Sequence, residues 1–205
     1  MFRLSSFTGG IAQTNGYLLQ VEKACVAFDA PEEMAAWLEE QNVRLDALVL
    51  THQHFDHVMD AARIQREHRC PVLAFAPFSR DLTLERLFGA VTGTQFSVDE
   101  FVVDQVLEGE DAATIGGLEW QLLHIPGHSP DSLCFYQPEF QIVFGGDVLF
   151  LDGVGRTDFP GGSSSLLIAG IEEKLFPLPD ETRIFPGHGP GTTIGREREE
   201  NPFLQ

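Results

Sequence analysis

Four short apolar runs in this chain each lead into a side chain able to bind a metal ion, and that repetition constrains the fold more than any other feature. LDALVL (45–50) runs into THQHFDH, LLHIPGH carries His128, IVFGGD ends at Asp147, and IFPGH ends at His188. An apolar run of four to eight residues bounded by turn residues suits a buried strand. Strands whose ends carry polar donors belong in sheet-and-helix layers, where the loops bear the chemistry. Small residues beside a donor let the backbone approach closely and adopt positive φ.

The first donor group is dense. His52, His54 and His57 are three of the seven histidines, with Asp56 among them. Two His at i and i+2 leaving a strand face the same side, so both rings can reach one ion; Asp56 and His57, at the turn into the next helix, can serve a neighbouring ion. Taken singly, a His or Asp in a glycine-rich loop is a turn residue or a backbone partner. His128, Asp147 and His188 together, added to the first group, are too many for that explanation.

The surrounding pattern is mixed α/β. Residues 15–21 (NGYLLQV) and 24–29 read as strands joined at Glu22-Lys23. Pro31 opens an amphipathic helix, PEEMAAWLEEQ, with acidic residues in its first turn. A buried strand over 45–50, a helix over 57–68 and the strand CPVLAF (70–75) follow. Strand character recurs at 101–107, 118–125, 132–137 and 140–144. After GGSSS, LLIAGIEEKLF places Leu167, Ile168, Ile171 and Leu175 at helical spacing, with Ser163 to Ser165 as N-cap candidates. The stretch 77–97 gives no clear pattern.

Composition sets the outer limits. At 205 residues and 43% hydrophobic content, one domain over 1–205 can bury its core without disulfides or a structural metal. Asp and Glu total 31 against 13 Lys and Arg, a formal charge of -18. Such a polyanion lacks the basic footprint needed for nucleic acid or an anionic membrane surface. The three cysteines form no C-x-x-C pair, and no run approaches the roughly 18 apolar residues of a membrane span. Residues 1–8 hold no apolar leader segment, so a cytoplasmic location is expected.

Thr51-His52-x-His54-x-Asp56-His57, followed in order by His128, Asp147 and His188, resembles the metallo-β-lactamase-fold superfamily. The resemblance implies a four-layer αββα sandwich with a dinuclear metal site at one edge of its two sheets. GRTDFPGG (155–162), PGHGP (186–190) and TIGREREENPF (193–203) are most similar to the short, single-domain glyoxalase-II-like hydrolases. By that resemblance His52, His54 and His128 hold one ion, Asp56, His57 and His188 a second, and Asp147 bridges them. Imidazole and carboxylate donors without thiolate suit two divalent ions, zinc foremost, with iron or manganese also admitted. Two ions about 3.5–4 Å apart can hold a water, bring its pKa toward roughly 7 and polarise a carbonyl.

Departures from relatives narrow the activity. A Cys at 147 would resemble the secreted zinc β-lactamases, and a Glu at 54 the di-iron flavoproteins; the chain has Asp147 and His54. The additional helical region that supplies glutathione-binding residues in full-length glyoxalase II has no counterpart before Gln205. The expected activity is hydrolysis of a small acyl thioester, S-lactoylglutathione being the first candidate. A thiolate of pKa near 8.5 leaves without a general acid. The rival is a mononuclear iron persulfide dioxygenase using two His and one Asp; a third reading is a non-catalytic metal-binding protein. Asp29, after the strand ACVAF, is a candidate to hold a ligand His by its other nitrogen, or else caps the helix at Pro31. Arg156 is a candidate grip for a substrate carboxylate, unless it pairs with Asp158 or Asp152.

Overall fold

Strands β1 (Phe2–Gly9), β2 (Thr14–Val21) and β3 (Ala24–Phe28) form an antiparallel meander in a computed structural model that describes residues 2–22 and 24–205. Lys23, half of the expected Glu22-Lys23 joint, and Met1 lie outside the described residues. The first strand escapes sequence patterning because FRLSSFTG is a partly exposed edge strand without an apolar run. It pairs along its full length with β2, from Phe2 opposite Val21 to Gly9 opposite Thr14.

The chain divides into two compact units, one ending at Glu108 and one spanning Gly109–Gln205. In the first, β4 (Ala47–Val49), β5 (Val72–Ala74) and β6 (Gln105–Val106) extend the sheet in parallel, giving the order β1-β2-β3-β4-β5-β6. The parallel connections run through α1 (Met34–Glu40), then α2 (Phe55–Val58) and α3 (Ala61–His68), then α4 (Arg80–Thr83) and α5 (Glu85–Thr92). Ala27, Leu48, Leu50, Val72 and Ala74 pack against Met34, Leu38, Phe55, Val58 and Ile64. The period-two spacing of these strand residues is what one sheet face requires, and each large side chain so buried contributes about 1.5–3 kcal/mol.

Three expectations in this unit are corrected. The first helix starts at Met34, not Pro31, because Glu33 is left-handed (φ 74) and interrupts helical hydrogen bonding. The helix expected over 57–68 is broken at Asp60, whose N–H donates to the Ala30 carbonyl (3.0 Å) and whose carboxylate accepts from the Ala35 N–H (2.8 Å). The strand expected over 101–107 shrinks to Gln105–Val106, since the Gln65 side chain takes both backbone groups of Val102. The uncharacterised 77–97 stretch supplies α4 and α5.

The second unit contains β7 (Ala112–Ile115), β8 (Leu118–His124), β9 (Leu133–Gln137), β10 (Ile142–Gly146), the small hairpin β11 (Leu149–Phe150) and β12 (Gly153–Val154), α6 (Ser164–Gly170), β13 (Arg183–Pro186), β14 (Thr192–Thr193) and α7 (Ile194–Glu200). Its main sheet runs β14-β13-β10-β9-β8-β7, with only β10 and β13 parallel. Ser163 caps α6, its hydroxyl accepting from the Leu166 N–H at 3.4 Å. The helix continues past Gly170 as a π-helical turn, Ile171–Leu175, instead of staying α-helical. Leu167, Ile171 and Leu175 remain on the buried face with Val143, Val148 and Ile184. Among the described residues no helix is long and apolar enough to cross a membrane.

Candidate metal centre

In the first unit, β4 delivers the chain through Leu50 and Thr51 to His52, His54, Asp56 and His57, the last two in the opening turn of α2. His52 Nε2 lies 3.0 Å from His54 Nδ1, and the rings of His52 and His57 are 4.1 Å apart between centroids. All three histidines are buried. Asp56 Oδ2 is 3.6 Å from His57 Nε2 and accepts from the Thr14 hydroxyl at 2.6 Å.

Asp29 organises this group. It sits in the left-handed region (φ 58), between β3 and the turn into α1, and makes no helix cap. Its Oδ1 accepts from the Thr51 N–H at 2.8 Å, and its Oδ2 lies 2.8 Å from both the Thr51 hydroxyl and His57 Nδ1. A carboxylate only accepts, so the neutral His57 ring carries its proton on Nδ1 and presents an Nε2 lone pair. Thr51 spends its hydroxyl proton on Asp29 and therefore accepts from His52 Nδ1 at 3.2 Å. That contact leaves His52 Nε2 as a lone pair as well.

In the second unit, parallel pairing of β10 with β13 sets Gly146 opposite Pro186, and the Gly187 N–H donates to the Gly146 carbonyl at 2.8 Å. Asp147 and His188 therefore leave adjacent strand ends. Asp147 Oδ2 lies 3.3 Å from His188 Nε2 and 3.4 Å from His128 Nε2. His128 follows Gly127, whose φ of 141 and contacts exclude a side chain: a Cβ there would sit 2.6 Å from the Ser163 carbonyl oxygen. The other His128 nitrogen, Nδ1, donates to the Arg156 carbonyl at 2.9 Å, which again places the lone pair of the neutral ring on Nε2. A Cβ at Gly155 would lie 2.0 Å from the Asp147 carbonyl oxygen and 3.0 Å from His128 Cβ, so this loop can pass over both donors only as glycine.

The Arg156 side chain points elsewhere. Its guanidinium grips Asp158 through two 2.7 Å hydrogen bonds and lies 3.8 Å from the Phe159 ring centroid. The hydrogen bonds from Arg156 hold the Asp158 carboxyl down at about 2. Sequence reasoning singled out Arg156 for its guanidinium; its backbone carbonyl is the group that meets a donor His. Thr14 was missed, and Thr51 was read as part of the motif but given no role. Thr51 adjoins the histidines and was open to recognition, but nothing local marks Thr14, 42 residues from Asp56.

The donor set around Asp147 fits a divalent cation. In the neutral ring, His128 Nε2 and the Asp147 carboxylate are both acceptors, and a cation between them turns that facing pair at 3.4 Å into a favourable arrangement. Ligands at about 2.0–2.2 Å from a tetrahedral ion stand roughly 3.3–3.6 Å apart, a range that holds the 3.3 and 3.4 Å separations around Asp147. The cysteines are no competitors: burial raises Cys25 and Cys70 to about 11 and Cys134 to about 12, and metals bind the thiolate.

Comparison with known proteins agrees with this chemistry. The family model described as the metallo-beta-lactamase superfamily matches residues 9–188. A probable metallo-hydrolase, YqgX of Bacillus subtilis, is 34% identical over 198 residues, covering 95% of this chain and 94% of its own. The hydroxyacylglutathione hydrolase GloC of Haemophilus influenzae is 37% identical over 181 residues, covering 84% and 82%. Among solved structures, TTHA1623 in a di-iron-bound form superposes with a TM-score of 0.83 at 38% identity, covering 98% of this chain and all of that one. The chain belongs to the metallo-β-lactamase superfamily and has that fold.

Proposed function

We propose that this protein is a single-domain, dinuclear-metal hydrolase of small acyl thioesters, with S-lactoylglutathione the first substrate to test, working in the cytoplasm. In this reading His52, His54 and His128 hold one ion, Asp56, His57 and His188 the other, and Asp147 serves both. When bound, such a pair supplies Lewis acidity at a carbonyl and brings the pKa of a water toward roughly 7. The chain's own residues aim the imidazoles: Asp29 accepts a hydrogen bond from the His57 Nδ1–H, and the Arg156 carbonyl accepts one from the His128 Nδ1–H. A departing thiolate of pKa near 8.5 needs no proton from the protein. Arg156 exchanges its exposed partner Asp158 for a substrate carboxylate.

The observation that carries this reading is the carboxylate of Asp147, placed within 3.4 Å of two histidine Nε2 atoms. The likeness to a hydroxyacylglutathione hydrolase supports the thioester. Zinc is the first metal to test, with iron and manganese beside it, since one similar structure is di-iron. Metal content per chain, measured without added metal, is expected at about two ions. Chelation should abolish thioester hydrolysis and metal should restore it. A metal-replete protein that cleaves no member of an acyl-thioester panel above the metal-free rate refutes the activity. One iron per chain with oxygen uptake on glutathione persulfide assigns the dioxygenase reaction instead.

A further inference from the structure

A carboxylate on the last helix is fully buried although nothing in the donor set includes it. Glu197, in α7, is 0% exposed and receives four hydrogen bonds. Oε1 accepts from the Thr192 hydroxyl and Arg196; Oε2 accepts from the Asp152 N–H at 3.0 Å and Asn201 Nδ2 at 2.9 Å. Asn201, equally buried, also donates to the Gly153 carbonyl at 3.1 Å, and Arg196 pairs with Asp152 Oδ1 at 2.9 Å. A polar group stays buried where donors replace its lost hydration, and three of these four donors lie in, or are paired with, one target: the tip of the β11–β12 hairpin.

That hairpin links two of the three donors of the second unit, Asp147 and His128. It leaves Asp147 and Val148, turns at Asp152, and returns through Gly155 to Arg156, with the Gly155 N–H donating back to the Val148 carbonyl at 3.3 Å. Its returning arm presses on Asp147 and His128 at Gly155 and holds His128 Nδ1 at the Arg156 carbonyl. Its tip is left-handed at Asp152 (φ 58), a conformation uncommon outside glycine that aspartate is among the residues to adopt. Glu197 receives the N–H of that same residue.

We propose that Glu197, assisted by Asn201, is a positioning residue for His128 and Asp147: it clamps the tip of the hairpin whose returning arm orients both donors, and so sets the affinity for metal. This rests on the metal-site assignment proposed above. The C-terminal helix then acts on the centre through backbone alone, without touching an ion or a substrate.

Glu197→Gln tests it, since the amide keeps the shape but turns one acceptor into a donor. Competition with a chelator on the full-length chain is expected to show affinity reduced about 10-fold, the lower end of what lost outer partners produce. Arg198→Ala is the matched control, because that guanidinium donates to the Phe176 and Leu178 carbonyls and pairs with Asp180, away from the hairpin. It should lower the unfolding midpoint and leave metal affinity as in the wild type. Asn201→Ala retains the carboxylate and removes the tie to Gly153; a several-fold loss of affinity is expected, and this variant decides the matter should Glu197→Gln not fold. Folded variants at 197 or 201 with wild-type affinity overturn the proposal. The readout is affinity, so it decides this proposal whether or not the chain cleaves thioesters.

Discussion

Asp29 and His57, 28 residues apart in the chain, meet at 2.8 Å through Oδ2 and Nδ1 in a buried contact. The same carboxylate takes both the N–H and the hydroxyl of Thr51, so one side chain sets the tautomers of His57 and, through Thr51, of His52. Asp29→Asn presents an amide that can donate as well as accept. Metal affinity should fall about 10 to 100-fold. A loss of thermal stability with unchanged affinity would show Asp29 to be merely structural.

Asp147 and Asp56 should differ in consequence. Asp147 faces two histidines in its own unit, whereas Asp56 is held by Thr14 beside His57. Asp147→Ala is expected to lower kcat/KM about tenfold further than Asp56→Ala, roughly 1.4 kcal/mol in the barrier. Equal metal content and equal activity in the two variants would contradict a carboxylate shared by two ions.

Gly155→Ala inserts a methyl group where the Asp147 carbonyl oxygen leaves 2.0 Å. Backbone must move, at about 1–3 kcal/mol for overpacking of this kind, and what moves is the segment that holds His128. Both the unfolding midpoint and the metal affinity should drop. A variant with normal affinity would mean that the loop yields without disturbing the donors.

Arg156 and Asp158 form an exposed forked pair, the kind of ion pair that solvent keeps weak. The Asp158 carboxyl is held at about 2, below the ordinary value near 3.9. The pair is therefore fully present above about pH 4 and is lost as pH falls through about 2. At neutral pH Asp158 competes with any substrate carboxylate for the guanidinium. Asp158→Asn should lower KM for a carboxylate-bearing thioester and Arg156→Ala should raise it several-fold, with a neutral thioester unaffected. Matching shifts on both substrates would confine Arg156 to shaping its loop.

The candidate donors stand out in the sequence because they follow apolar runs. LDALVL and IVFGGD announce strands by composition, and a His or Asp placed just beyond a strand has few positions open to it. The helix at 57–68 was legible as helix but not as two, because its break depends on Asp60 bonding to Ala30 and Ala35. The strand Phe2–Gly9 was not legible at all: its place at the sheet edge comes from its ladder with β2, and backbone pairing asks little of side-chain pattern.

The sequence by itself determined the identity and order of the seven candidate donors, the mixed α/β character and the excess of acidic over basic residues, because each depends on local periodicity or on composition. Only the tertiary structure decided which nitrogen of a histidine is held. Asp29 reaches His57 from 28 residues away, and the Arg156 carbonyl reaches His128 from the same distance. The tie from Asn201 to Gly153 spans 48 residues. These are hydrogen bonds a few ångströms long between groups that the chain path alone brings together. Their direction decides whether an imidazole offers a lone pair or a proton, and spacing along the sequence carries no trace of it.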